Sequence, residues 1–269
     1  MDNNRISTGI AGLDALLQGG YLPNRSYLVA GDAGTGKTTA CIQFLLTGLK
    51  QKEKAVYVTV DERPAEILHS ATSLEWDLQA HIQEKNLVIL DASSYFSGRA
   101  VGGPDKGSGL EKFVSDLAGY AKRIEAARLV IDPVTPLILS GESPVRSQEQ
   151  GRALIYLLQT SLTTTNLLTA HLPSRSDHDS THGIEQFLTA GVFVLRVSRV
   201  ENRFVRTLTV KKMRGTPVEP NEYQFHLVKR NGIVLASPQL GPAIEADPFF
   251  RPLECFEPAK EETEKTGSA

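Results

Sequence analysis

Eight consecutive residues carry the clearest chemical signal in the chain. Gly31, Asp32, Ala33, Gly34, Thr35, Gly36, Lys37 and Thr38 fit G-x-x-x-x-G-K-[ST], and Thr39 follows them. Glycines let a backbone fold closely round phosphate oxygens and aim N–H groups at them, and a helix starting after the loop adds the positive end of its dipole. In that chemistry Lys37 reaches the β- and γ-phosphates and the Thr38 hydroxyl ligates Mg²⁺. The flanks agree, because apolar YLVA precedes the loop as a strand and TTACIQFLL follows it as a helix. Gly31 to Thr39 are therefore the candidate nucleotide-binding residues, with Thr38 as a metal ligand.

A phosphate loop needs a second carboxylate for the metal's water shell, normally at the end of an apolar strand. Asp132 closes RLVID and Asp91 closes LVILD, and strand chemistry alone does not separate them. Hydrolysis also needs a group that orients and deprotonates water. Asp61 and Glu62 end AVYVTV, read as the strand next to the phosphate loop, and at its carboxyl end they would face the nucleotide. Adjacent strand residues point to opposite sides, so one acid should face the phosphate. The alternative is that both acids cap the helix begun at Pro64.

The elements that must position these groups alternate. Apolar runs at Tyr27–Ala30, Ala55–Val60, Leu87–Leu90, Leu129–Ile131, Asn166–Ala170 and Val192–Val197 lack the polar alternation of a half-exposed sheet. Between them Thr38–Lys50, Pro64–Thr72, Leu110–Ala126 and Gln148–Leu158 carry apolar residues at helical spacing. This predicts an α/β fold with a mainly parallel sheet and flanking helices. Val192–Arg199 and Phe204–Met213 predict a C-terminal β-hairpin extension, followed by a short strand pair at Tyr223–Val228 and Gly232–Ala236. Ser93–Gly109 is expected to be a surface loop, since five glycines fall between Gly98 and Gly109. The reading divides the chain into a domain at 1–236 and a Pro-rich, acidic tail at 237–269 without apolar period.

Composition narrows the classes. A net charge of −2 gives no global positive field for nucleic acid or anionic membrane, so such contact must be local. Two cysteines are too few for a disulfide framework or a four-thiolate zinc site. MDNNRISTGI lacks an apolar signal region and no run approaches a membrane span, so a cytoplasmic protein is expected.

From Ile6 to about Ala236 the chain resembles the KaiC family, the RecA-like ATPases of the KaiC/RadA group. The blocks that carry this are STGIAGLDALLQGGYLPNRSYLVAGDAGTGKTTACIQF, VTVDERPAEIL, LDASS with VGG beyond it, RLVIDPVTPL, HGIEQFLTAGVFVLR, and LTVKKMRGTP with NEYQFHLVKRNGIVL. The resemblance implies a RecA-like P-loop NTPase core using ATP and Mg²⁺. It also implies a ring, expected to be a hexamer, or a filament, with each nucleotide at a subunit interface. It selects Asp132 as the metal carboxylate, acting through water. It gives Asp61 and Glu62 the water-activating role, with Glu62 preferred because the family usually shows two glutamates and Asp61 departs from that.

The family's Lys-x-Arg pair, which reaches a neighbour's γ-phosphate, reads here as Lys212 and Arg214. A guanidinium at developing phosphate charge is worth roughly 10³–10⁵ in rate. The competing reading is a solvated or nucleic-acid-contacting basic hairpin, since seven basic residues and one acid lie between Arg196 and Arg214. Clock members of the family carry two such domains, and this sequence holds one. Their phosphorylated Ser-Thr pair corresponds to Glu185 and Gln186, so autophosphorylation there is not expected.

The functional expectation is a slow, oligomeric, regulatory ATPase. The alternatives are a DNA-dependent recombination or repair ATPase and a nucleotide switch with little turnover. His171, at a strand end, is a candidate γ-phosphate sensor. The polar segment Leu172–His182, with His178, His182, Asp177 and Asp179, is read as a flexible loop ahead of a metal site. Phe249, Leu253 and Phe256 in the tail could dock on the core or a regulatory protein.

Overall fold

Strands without polar alternation are stable only when helices cover both faces of their sheet, and the apolar runs of this chain are arranged in that way. The computed structural model describes residues 5–95, 108–138, 144–171, 189–200, 202–219 and 221–236. In chain order the elements are α1 (Leu13–Leu16), β1 (Ser26–Gly31), α2 (Lys37–Lys50), β2 (Lys54–Thr59), α3 (Pro64–Ser73), α4 (Leu78–Gln83), β3 (Leu87–Asp91), α5 (Ser108–Ile124), β4 (Ala126–Asp132), α6 (Thr135–Ile138), α7 (Pro144–Ser161), β5 (Thr165–His171), β6 (Gly191–Val200), β7 (Arg203–Met213), β8 (Glu222–Val228) and β9 (Gly232–Leu235), with a 3-10 turn at Ser93–Tyr95.

They build one sheet in the order β3-β2-β4-β5-β1-β6-β7-β8-β9. The strands from β3 to β6 are parallel, and β7, β8 and β9 add antiparallel hairpins. Alternate residues of the strands feed two cores. Tyr27, Val29, Tyr57 and Val130 pack with Phe44 of α2, Ile67 of α3 and Leu78 of α4. Leu28, Val56, Val58 and Ile131 pack with Leu117 of α5, Leu137 of α6 and Leu158 of α7. The expected α/β class, parallel sheet and hairpin extension are all present.

The differences are local. Helix α5 stops at Ile124 rather than Ala126, because Glu125 takes a left-handed φ of 59° and Ala126 already belongs to β4. Of the expected loop Ser93–Gly109, the first three residues form the 3-10 turn and the last two open α5. The short helices α1, α4 and α6 had no full period to reveal them. Leu172–His182, Glu185, Gln186 and the tail 237–269 lie outside the described residues.

The β6–β7 hairpin fixes what lies at each end of the sheet. Gly31 is level with Leu195 of β6, so residues after Leu195 project past the phosphate-loop end, where Val197, Val200 and Phe204 are exposed. Strand β7 then runs back until Met213 is level with Gly191, which pairs with Tyr27 near the start of β1.

Candidate functional site

Strand β1 delivers the phosphate loop. Gly31 closes it beside His171 and Leu195, and a Cβ on Gly31 would lie 2.6 Å from the Leu195 carbonyl oxygen, so only glycine fits. The loop crests at the exposed Ala33 and Gly34 and enters α2 through Gly36 at φ 105°, a conformation L side chains resist. The Thr35 hydroxyl donates to the Asp32 carbonyl at 2.8 Å, and the Asp32 Oδ1 atom is buried without a hydrogen-bond partner. Lys37 is buried, and its Nζ donates to the Gly31 and Asp32 carbonyls at 2.9 and 2.8 Å. Burial pushes its pKa down, with the Asp132 charge the largest opposing influence. An ammonium held only by carbonyls at a helix N-terminus is chemically matched to phosphate oxygens. Thr39 follows half-buried in the first turn of α2.

Asp132 and Asp91, equivalent at the level of strand chemistry, differ in position. Asp132 Oδ2 accepts from the Thr38 hydroxyl at 2.8 Å and the Tyr57 hydroxyl at 2.5 Å, while Oδ1 accepts from the Thr169 hydroxyl. Asp91 ends the outermost strand, is exposed, and accepts from the Ser93 N–H at 2.9 Å as a turn residue. The side-chain and backbone bonds from Ser93 hold the Asp91 carboxyl below its usual range. Thr38 and Asp132 are hard oxygen donors, and they fit Mg²⁺, which takes one or two protein oxygens and keeps several waters. Sequence reasoning missed Tyr57 and Thr169. The available signal was a hydroxyl inside each of the buried strands AVYVTV and NLLTA, since a buried hydroxyl must find a partner.

The placement of Asp61 and Glu62 needs one correction. Strand β2 is not next to β1, because β4 and β5 lie between them. Parallel strands nevertheless end on one edge, and Asp61 Oδ2 comes within 4.0 Å of His171 Nε2, whose strand end is level with Gly31. Burial raises the pKa of both acids. Asp61 is then lowered by His171 and raised by Asp132. Glu62 is raised further by Asp132, Glu66 and Asp61 and is lowered by Lys37, which ties it to the phosphate loop. The start of α3 is held by Glu66, whose carboxylate accepts from the Arg63 N–H at 3.0 Å.

Lys212 and Arg214 stand elsewhere. Lys212 pairs with Val192, and the Arg214 N–H donates to the Ala190 carbonyl at 2.7 Å, both at the start of β6. The levels of Tyr27 and Gly31 are separated by roughly 13 Å of strand, so neither cation is near the phosphate loop of its own chain. Burial, and then the Arg214 charge, lowers the Lys212 pKa. The turn that carries them is tied down by Arg5, whose Nη1 donates to Thr216 Oγ1 at 2.7 Å and to the Gly20 carbonyl at 3.1 Å.

Among the described residues no cluster of three or more His, Cys, Asp and Glu is placed to hold a metal, and no helix is long and apolar enough to cross a membrane. His178, His182, Asp177 and Asp179 fall outside those residues.

Comparison with known proteins agrees with the geometry. A family model described as "ATPase: KaiC" matches residues 6–239. The circadian clock oscillator protein KaiC of Parasynechococcus marenigrum is 33% identical over 228 residues, covering 84% of this chain and 43% of that protein. The KaiC of a Picosynechococcus species is 37% identical over 82% of this chain and 42% of its own length. The chain thus spans less than half the length of the clock proteins it matches. A UPF0273 protein of Methanopyrus kandleri is 31% identical over 83% of this chain and 88% of its own. The crystal structure of a KaiC-like protein from Pyrococcus horikoshii superposes with a TM-score of 0.72 at 29% identity, covering 87% of this chain and 99% of that one. With its phosphate loop on a RecA-like sheet and this match along most of its length, the chain belongs to the KaiC family of RecA-type ATPases.

Proposed function

We propose that residues 1–236 form a Mg²⁺-dependent ATPase domain that hydrolyses ATP slowly as a cytoplasmic homo-oligomer, a hexameric ring in the simplest case. The observation that carries this is the meeting, at one sheet edge, of Lys37, the Thr38–Asp132 contact at 2.8 Å, and a Glu62 carboxylate that senses Lys37. The loop N–H groups and Lys37 bind and orient the phosphates, and Thr38, with Asp132 through water, would hold Mg²⁺, which would supply positive charge against the phosphates. Glu62 takes the proton of the attacking water, a task suited to a carboxylate with a raised pKa. Asp61, 4.0 Å from His171 Nε2, shares the water-activating role with Glu62. Lys212 and Arg214 stabilise the γ-phosphoryl charge of a neighbouring subunit, because their own loop is out of reach. Nucleotide state then alters subunit contacts, and so the binding of a regulatory protein through the tail.

Single-turnover phosphate release with excess protein tests this reading. ATP with Mg²⁺ should be converted to ADP and phosphate, and chelating the metal should stop conversion. Tight ATP binding without any conversion would favour the nucleotide-switch alternative. One observation favours a second reading, dependence on nucleic acid: the β6–β7 tip exposes Phe204 at 77% with Arg199 directly opposite it on β6. Stimulation of phosphate release by single-stranded DNA at physiological salt would put that reading first.

A further inference from the structure

We propose that Tyr57 is a positioning residue that holds the Asp132 carboxylate for the metal and couples it to the strand that leads into Asp61 and Glu62. This rests on the ATP–Mg²⁺ reading above. Tyr57 is 1% exposed and lies in the middle of β2, where its hydroxyl donates to Asp132 Oδ2 at 2.5 Å. Both carboxylate oxygens are held by hydroxyls. Thr169 serves Oδ1, and Tyr57 and Thr38 share Oδ2.

The three donors are not equivalent. Thr38 must turn a lone pair to the cation, so its orientation answers to the metal as well as to Asp132. Tyr57 and Thr169 come from β2 and β5, the strands flanking β4, and have no such second duty. They brace the carboxylate from both sides. Tyr57 adds a link that Thr169 cannot. Thr59 of β2 pairs with Asp132, and the Val60 N–H donates to the Asp132 carbonyl at 3.1 Å, so β2 grips Asp132 by side chain and by main chain just before Asp61. A carboxylate braced in this way meets the metal's water shell in one orientation, and outer partners of metal ligands typically set affinity by 10–100-fold.

Tyr57→Phe in the full chain is the test, since it keeps the ring and removes the donor. A fluorescent, non-hydrolysable ATP analogue is titrated with and without Mn²⁺, and Mn²⁺ occupancy is followed by electron paramagnetic resonance. Metal-free affinity for the analogue should stay within about two-fold of wild type, while Mn²⁺ affinity in the ternary complex falls about 10-fold. Thr169→Val should move Mn²⁺ affinity in the same direction, which keeps the test open if one variant folds poorly. Unchanged Mn²⁺ affinity in both variants overturns the proposal, as does an equal loss of analogue binding with and without metal, or failure of both variants to fold. If wild-type protein binds the analogue with no Mn²⁺ effect, the metal reading itself fails and takes this proposal with it.

Discussion

Two buried cations, Lys37 and Arg128, sit at opposite ends of the parallel sheet, and only Arg128 is hydrogen-bonded to a carboxylate. Arg128, 1% exposed near the start of β4, pairs with the Glu53 carboxylate at 2.5 Å, donates to the Ser7 and Phe44 carbonyls at 2.8 Å each, and lies 4.7 Å over the Phe44 ring. Lys37, at the carboxyl end of the sheet, has carbonyls and no hydrogen-bonded carboxylate. A charge answered inside the fold serves the fold. A charge left with weak partners keeps its capacity for a ligand, and the raised pKa values of Asp61 and Glu62 mark the same end in the same way. Lys212 and Arg214 break the pattern, being two like charges set side by side at the Arg128 end. Among the described residues they stand at the end of the sheet away from the phosphate loop.

Loss of Lys37 should have the greatest consequence. Lys37→Ala should lower ATP affinity or turnover by roughly 10³-fold, because the point charge on the β- and γ-phosphates goes while the loop backbone stays. Burial lowers the pKa of Lys37, so the fold disfavours the charged form present at neutral pH. The ligand-free variant should therefore melt no earlier than wild type in differential scanning calorimetry. Arg128→Ala should do the reverse. It should cost about 3 kcal/mol in urea unfolding, since it leaves Glu53 and two carbonyls without their donor, and leave the ATP affinity of the folded fraction unchanged.

Glu62→Gln sharpens the same contrast with a smaller effect. Phosphate release should fall by roughly 10²-fold with ATP binding kept, because an amide cannot accept water's proton. Burial raises the Glu62 pKa above its ordinary 4.5. Between 4.5 and that raised value the folded state binds more protons than the unfolded one, so ionising Glu62 lowers stability as pH rises through the window. Wild-type turnover should accordingly fail on acidification before an unperturbed glutamate would protonate, and Glu62→Gln should melt slightly higher than wild type at neutral pH. If Asp61→Asn is the more damaging change, the base has been assigned to the wrong acid.

What the sequence revealed follows the range of the interactions. The phosphate loop, the acids at strand ends and the alternation of strand and helix are local patterns set by spacing along the chain. The cage round Asp132 joins β2, β4 and β5, and neither Tyr57 nor Thr169 is near Asp132 in sequence. Its assembly depends on strand order, which local pattern does not encode. The same gap explains why β2 was expected beside β1, while Asp61 still reached the right edge, since all parallel strands end there. Asp132 and Asp91 close nearly identical strands, so local pattern does not separate them, whereas strand order puts Asp132 beside Thr38 and Asp91 at the sheet's edge.

In the proposed assembly, Glu62 of one chain and Arg214 of a second copy act on the same nucleotide. The direct measurement is phosphate release from Arg214→Ala and Glu62→Gln proteins, alone and mixed, with subunit exchange verified by native mass spectrometry. Each variant alone should bind ATP and hydrolyse it slowly. Mixing should restore activity at interfaces where an Arg214→Ala subunit supplies Glu62 and a Glu62→Gln subunit supplies Arg214, and wild-type specific activity should fall on dilution. No recovery in mixtures shown to exchange, with wild-type activity flat across dilution, would contradict the claim and assign the basic end of β7 to something other than the nucleotide.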